Sequence, residues 1–387
     1  MSVFGIVCET NPIHNGHKYL ITSAKELGAS AVVCVMSGNT VQRGEFAIAD
    51  KYTRAKALLR CGADLVLELP FPWSCSSAEH FADAAINILR NFCDTVIFGS
   101  ESGDISLLKR AAKTAVSAEF KGEYSERLSE GEPAARLFFD MLKKVSENDF
   151  GSNDILGVEY IKAAIAQGTN IDFVTVRRKG DGYTFSKMFN EEYPSAMSIR
   201  KLWSDGNIEG LEKYIPAEAC ELYKSAIRNG DITDTTALDA ILLSFFRLHN
   251  GIDFEDVEGT SGGLANRICE MSHKARSADE LMELVKTKRY TDANIRRTVM
   301  YCLSGVTRQH IEESPREVLL LAANDRGREL LAKSRKTEGT RVVTKPADLD
   351  MSLSQNILMK RVDGIFTLLR KNALSSDTYL KKGPYIE

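Results

Sequence analysis

The 387-residue chain contains no apolar stretch of 18 residues, so no helix of it is expected to span a bilayer. It also lacks any C-x-x-C pair. Its eight cysteines, at positions 8, 34, 61, 75, 93, 220, 269 and 302, are scattered, which argues against a zinc or disulfide framework and for a reducing, cytoplasmic setting. Cys8, Cys34 and Cys61 stand in or beside apolar runs and read as small hydrophobes. Met1–Val7 has no basic n-region and no small-residue cleavage site, and is expected to be a strand rather than a leader. Histidine is scarce, with six in all, and His80, His249, His273 and His310 form no ligand spacing. Apolar residues make up 43% and charged residues 27%, which excludes collagen-like, low-complexity and largely disordered chains.

Excess positive charge is missing too. The net of −3 argues against a basic nucleic-acid coat. The charges are segregated, however. Residues 1–200 hold 22 basic and 25 acidic side chains, residues 201–285 hold 8 and 16, and residues 286–387 hold 20 and 12. The last hundred residues are therefore basic and suggest a polyanionic partner.

The pattern over the first 100 residues alternates between short apolar runs and helical periodicity. Strands are expected at Val3–Cys8, Ala31–Met36, Asp64–Leu69 and Thr95–Phe98, with helices at 17–27, Lys51–Arg60 and Ala78–Phe92. Such alternation points to an α/β fold with a parallel sheet covered on both faces. Residues 104–168 read as a helical insertion before a further strand at Asp172–Val176, and a helix is expected from about Ala196. Residues 208–345 have helical periodicity almost throughout. Two domains are expected, 1–205 and a mostly helical 206–387.

One junction carries chemistry. The first strand runs into Glu9-Thr10-Asn11-Pro12-Ile13, and His14-Asn15-Gly16-His17 then opens a helix. In open α/β sheets ligands bind at the carboxyl ends of strands, and a helix N-terminus there offers N–H groups and a positive dipole end to an anion. Gly16 is expected to allow close approach of a phosphate, and two histidines three apart share a face of the first turn. They are placed to donate hydrogen bonds to phosphate oxygens during displacement at phosphorus. Lys18 could neutralise phosphate charge beside them.

His14-Asn15-Gly16-His17 is the H-x-G-H motif of the nucleotidylyltransferase superfamily, which is related to class I aminoacyl-tRNA synthetases. Further segments narrow the likeness: Asn11–His17, Met36–Gly44, Asp50-Lys51 with Arg54, Asp64–Pro70, Phe98–Glu101, Asn153–Tyr160 and Ser195–Arg200. The chain resembles the bacterial tRNA(Met) cytidine acetate ligase family over its first 200 residues, and in fragments such as Lys286–Arg297 and Asn324–Leu331 beyond. That resemblance implies a Rossmann-like nucleotidylyltransferase domain carrying a helical insertion. It also implies activation of acetate with ATP to acetyl-adenylate, with Mg2+ bridging phosphates, and acetylation of N4 of the wobble cytidine of elongator tRNA(Met).

The resemblance also implies the site. Val7, Cys8, Glu9, Thr10, Asn11, Pro12, Ile13, Asn15, Gly16 and Leu20 would line the ATP site with the catalytic His14, His17 and Lys18. Gly99, Asn153 and Arg178 would complete the adenosine and phosphate contacts, and Ser195 and Arg200 would occupy the second phosphate motif. This chain departs there, with Met197 and Pro194 at the usual Thr and Ile positions, and methionine offers no hydroxyl donor.

Other candidates follow from position. Ser37–Glu45, after the second strand, could close over acetate or the acceptor base. Arg178 ends the fifth strand at the active edge, where a guanidinium suits bidentate phosphate binding. Asp64 starts a strand at the opposite edge and is expected to be structural. Lys286, Lys288, Arg289, Arg296 and Arg297, with Tyr290 among them, could hold a tRNA backbone and stack on a base. No metal-ligating residues are assigned, and the oligomeric state is open. H-x-G-H alone fits equally well an adenylate-forming enzyme with a small-molecule acceptor, and Met197 also allows a catalytically decayed nucleotide- and RNA-binding paralogue.

Overall fold

The computed structural model describes residues 2–129, 134–146, 149–178, 199–200, 212–287, 289–334 and 339–387. Its centre is an eight-stranded sheet built from β1 (Val3–Cys8), β2 (Ala31–Ser37), β5 (Leu65–Leu69), β6 (Thr95–Ser100), β7 (Asp172–Arg177), β8 (Glu317–Ala323), β9 (Arg341–Val343) and β10 (Tyr385–Ile386). The order is β10-β8-β5-β2-β1-β6-β7, with β9 paired to β8. A small antiparallel hairpin, β3 (Thr40–Val41) and β4 (Glu45–Phe46), stands apart from it.

The strands from β5 to β7 are all parallel, and their order reverses at β1, which lies between β2 and β6. A crevice outside the carboxyl ends of β1 and β6 is thus the ligand position this topology creates. The central strands are continuous apolar runs because both faces are covered. Val32, Cys34 and Met36 of β2 enter one core with α1 (Asn15–Glu26) and α2 (Lys51–Arg60). Val33 and Val35 enter the other, with α3 (Ala78–Leu89), α4 (Ile105–Ala115) and the helices after it.

The insertion holds α4, α5 (Ala118–Ser129), α6 (Ala134–Ser146) and α7 (Ser152–Ala166). The periodicity marks Ile105–Val116, Pro133–Val145 and Ile155–Ala166 as its helices, and α5 lies between the first two. Residues 217–312 are helical: α8 (Ala217–Asn229), α9 (Thr235–Arg247), α10 (Leu264–Ser272), α11 (Ala278–Val285), α12 (Asp292–Ser304) and α13 (Arg308–Glu312). A third core cluster, including Phe246, Leu264, Ile268, Leu281 and Ile295, holds this region together.

Helical periodicity misreads one segment. Glu317–Ala323, inside the stretch expected to be helical, is β8, a wholly buried strand antiparallel to β5. A six-residue apolar run such as Val318–Ala323 cannot be told from a buried helix by period alone. The sheet therefore takes strands from both sides of residue 205. After β8 come α14 (Asp325–Ser334), α15 (Ser354–Leu368) and α16 (Thr378–Lys381). The helix expected from Ala196 begins outside the described residues, which show only 199–200 as helical.

Candidate nucleotide site

The turn from β1 to α1 is held from several sides. Thr10 has a positive φ of 46° and its hydroxyl donates to Met36 Sδ (2.9 Å). Asn11 Oδ1 accepts the Ile48 N–H (2.8 Å), and Ile13 N–H donates to the Tyr223 hydroxyl (3.2 Å). Asn15 ties the helix start to the chain beyond 212, through its N–H to Tyr214 O and its Nδ2 to Lys213 O (both 2.9 Å).

His14 is the N-cap of α1. Its Nδ1 accepts the Gly16 N–H (3.1 Å), while His17 Nδ1 accepts the His14 N–H (3.2 Å). Each Nδ1 is thereby an acceptor, so each neutral ring carries its proton on Nε2. The rings lie 4.0 Å apart, centroid to centroid, with their planes tilted by 46°. Burial lowers both basicities, and the neighbouring His17 ring and the Arg178 guanidinium push His14 further down. Burial and Arg178 bring His17 down to about 3. At neutral pH the pair is two uncharged Nε2–H donors.

Two expectations change here. The first amides of α1 are not open to a phosphate: Asn15 N–H goes to Tyr214 O, Gly16 N–H to His14 Nδ1 and His17 N–H to His14 O. Gly16 also has a nearer reason than phosphate approach. A Cβ there would lie 2.9 Å from His14 Cε1 and 3.0 Å from its Nδ1, and so would displace the ring.

The far side of the crevice comes from β6, β7 and α7. Arg178 Nη1 donates to Asn153 Oδ1 (3.1 Å), and a Cβ on Gly99 would sit 3.3 Å from Arg178 Cγ. Asn153 is fixed by Glu101, whose carboxylate accepts its Nδ2 (2.6 Å) and also its N–H (3.1 Å) and the Asp154 N–H (3.0 Å). The structure thus brings Gly99, Asn153 and Arg178 together, with the Arg178 charge acting on both histidines. Glu101 has no chemical signature of its own beyond its place after a strand end.

Other expected residues fall differently. Thr10, Asn11 and Ile13 are almost wholly buried, as are Cys8 and Pro12, so they shape the loop rather than present side chains. Val7 and Leu20 are half-buried against the two cores. Lys18 pairs with Glu218 of α8. Glu9 Oε1 accepts the Gln42 N–H (2.7 Å), and burial raises its pKa against the pull of that bond and of Arg200. Arg200 donates to Asn11 O (2.8 Å) and reaches Glu45 (3.4 Å). Ser195, Pro194, Met197 and Lys288 lie outside the described residues. Asp64 is structural: its carboxylate accepts the Val32 N–H and the Asn324 Nδ2 (both 2.8 Å).

The basic run divides. Lys286 and Arg289 are exposed, Lys286 pairing with Asp292 (3.0 Å) and Arg289 lying over the Tyr290 ring (5.5 Å). Arg296 pairs with Asp279 (3.4 Å) and Arg297 donates to Gln42 O (3.4 Å). The hairpin and α12 touch closely, since a Cβ on Gly44 would lie 2.4 Å from the Arg297 amide nitrogen.

Comparison with known proteins places this geometry. The HIGH nucleotidyl transferase family matches residues 1–379. A tRNA(Met) cytidine acetate ligase of Thermoanaerobacter sp. (strain X514) is 35% identical over 391 residues, covering 96% of each chain. The chain belongs to the HIGH nucleotidyl transferase family and, within it, to the tRNA(Met) cytidine acetate ligases. A relative of the same name from Thermotoga maritima is 36% identical, covering 91% of this chain and 88% of its own. The fold agrees with that of Thermotoga maritima TmcAL bound with alpha-thio ATP, at a TM-score of 0.87, 30% identity and coverage of 100% and 99%. Its apo form gives 0.88 at the same identity. Among the described residues of this ligase-family chain no helix is long and apolar enough to cross a membrane.

Proposed function

We propose that this chain activates acetate with ATP and transfers the acetyl group to N4 of the wobble cytidine of elongator tRNA(Met). The observation that carries this reading is the pair of neutral Nε2–H imidazoles at the point where strand order reverses, opposite Arg178. The family supports the acetate and tRNA specificity, and a relative bound with alpha-thio ATP supports the nucleotide.

In the first step a carboxylate oxygen of acetate attacks the α-phosphorus. An O–P bond forms, the bond to the bridging oxygen breaks, and pyrophosphate leaves with that electron pair. His14 and His17 donate Nε2–H bonds to the phosphate oxygens on which charge grows. Asn153 and Arg178 orient the nucleotide from the β6–β7 side, with Gly99 leaving room for the Arg178 stem. Arg200 holds Asn11 and so the loop. Lys18 would exchange Glu218 for a phosphate to contribute. In the second step the cytidine amine attacks the acetyl carbonyl, loses a proton, and AMP leaves; the base must be extruded to reach the crevice.

Magnesium accompanying ATP would neutralise phosphate charge. Among the described residues no group of three or more His, Cys, Asp or Glu is gathered to hold a metal. Magnesium usually rides on substrate phosphates with few protein ligands, so it is treated as part of the substrate. Lys286, Arg289, Arg296 and Arg297, with Lys288, are the proposed tRNA surface of the region after 206, and residues 1–205 the proposed ATP-binding unit.

The test is incubation with ATP, labelled acetate and tRNA(Met), followed by mass analysis of the digested nucleosides. Acetylated cytidine is the expected product. Its absence, together with absence of acetate-dependent pyrophosphate release from folded protein, overturns the reading. Turnover with a small amine and indifference to tRNA would assign a different acyl-adenylate ligase.

A further inference from the structure

Arg54 of α2 is fully buried, yet among the described residues it forms no ion pair. Its guanidinium is spent on main-chain carbonyls. Nε donates to Ala49 O (2.9 Å), Nη1 to Glu9 O (2.7 Å) and Ser37 O (3.1 Å), and Nη2 to Gly38 O. Asp50 and Glu68 offset its charge only from a distance. Glu9 follows the last residue of β1, Ser37 ends β2 and Gly38 follows it. The arginine therefore caps the carboxyl end of β1, which borders the proposed ATP position, and that of its neighbour β2. Those carbonyls are the negative ends of peptide dipoles, and a triphosphate would approach them unfavourably if they were bare.

The backbone beside this cap is unusual. Thr10, the residue after Glu9, is the one non-glycine residue of positive φ among the described residues (46°). For a β-branched side chain that conformation is rare and persists only where the surroundings over-determine it. Arg54 holds the carbonyl on one side of Thr10, Met36 accepts its hydroxyl, and Arg200 holds the Asn11 carbonyl on the other side. The chain then runs straight into His14.

We infer that Arg54 is a positioning residue for ATP: it holds the Glu9–Thr10 turn in its left-handed conformation and neutralises the strand-end carbonyls, and so sets the path of the chain into the His14–His17 turn. This rests on the proposal that ATP binds at that turn.

The test uses Arg54→Lys and Arg54→Gln, each alone and combined with Thr10→Gly, in acetate-dependent pyrophosphate exchange by the full chain. Lysine keeps the charge without the fork, and glutamine keeps a donor without the charge, so one variant serves if the other does not fold. The KM for ATP is expected to rise at least tenfold in Arg54→Lys, with kcat falling less than threefold. Thr10→Gly, which adopts positive φ without a Cβ penalty, is expected to recover at least threefold of that KM. A merely structural arginine would lower the thermal midpoint and the active fraction while leaving KM for ATP unchanged. That result, or a raised KM that Thr10→Gly does not relieve, overturns the inference. His17→Asn separates the two claims. If it leaves kcat intact, the ATP-site reading fails; if it abolishes turnover while Arg54→Lys leaves the KM for ATP unchanged, only the role of Arg54 fails.

Discussion

A neutral imidazole stabilises a phosphate as a hydrogen-bond donor, not as a counterion, and the proton must sit on the nitrogen facing the ligand. Here the tautomer is set by two backbone amides, and the Gly16 amide is available to His14 only because residue 16 has no side chain. Gly16→Ala is expected to push the ring away, costing about 1 kcal/mol of stability through the lost cap. It should also lower kcat/KM for ATP by roughly tenfold or more, a loss of at least ~1.4 kcal/mol of transition-state stabilisation. Urea unfolding and pyrophosphate-exchange kinetics read the two effects separately. The pH dependence follows from the same burial. His17 in the folded chain titrates at about 3, against roughly 6.5 for a free histidine. Between those values the unfolded chain binds a proton that the folded chain does not, so this contribution to stability is whole above pH ~6.5 and is lost as pH falls. In His17→Asn the urea midpoint should therefore decline less steeply from pH 7 to 4.5 than in the parent chain. An equal decline would show that His17 is protonated in the folded protein.

At the scale of elements, the site depends on pieces far away in sequence. Lys51, at the start of α2, is wholly buried and its ammonium is shared by Glu68 of β5 (2.9 Å) and Asp363 of α15 (2.8 Å). The two carboxylates raise its pKa against burial, so it stays charged, whereas burial lifts Glu68. Asp363 also accepts from Asn39 Nδ2 (2.8 Å), which ties α15 to the loop after β2. Asp363→Ala strands part of a buried charge and should cost about 3–5 kcal/mol. Proteolysis should then cut first in the segment after 350, and restoration of the full midpoint by Asp363→Asn would argue that charge is not the reason. How legible this was divides along physical lines. Val3–Cys8 and Lys51–Arg60 match the expected strand and helix because hydrophobic period and helix stop signals agree there. β8 was hidden because its period is ambiguous, and α5 has no strongly one-sided apolar face. The H-x-G-H turn was visible, but its partners Tyr214 and Tyr223, some 200 residues later, leave no local mark.

Over the whole molecule the charge segregation runs across parts of the chain that touch directly. β8 closes onto β5, the Trp73 Nε1–H donates to Glu313 O (2.9 Å), and the Tyr301 hydroxyl donates to Cys75 O (2.7 Å). The basic residues are accordingly not equivalent. Lys286 and Arg289 stand out on the surface, while Arg297 grips Gln42, whose amide in turn holds Glu9 beside the proposed ATP. Reversing the outer pair with Lys286→Glu and Arg289→Glu should weaken tRNA binding and flatten its log–log salt dependence by about one unit for each phosphate no longer neutralised. Exchange of pyrophosphate without tRNA should be unaffected. Arg297→Ala should do both kinds of damage, raising KM for ATP as well as weakening tRNA binding, because it loosens the hairpin that Glu9 leans on. Filter binding at several salt concentrations, paired with exchange kinetics in the absence of tRNA, reads both. An Arg297 variant that impairs tRNA binding alone would mean that the hairpin is held by the backbone packing at Gly44, and that RNA surface and nucleotide turn are joined without being coupled.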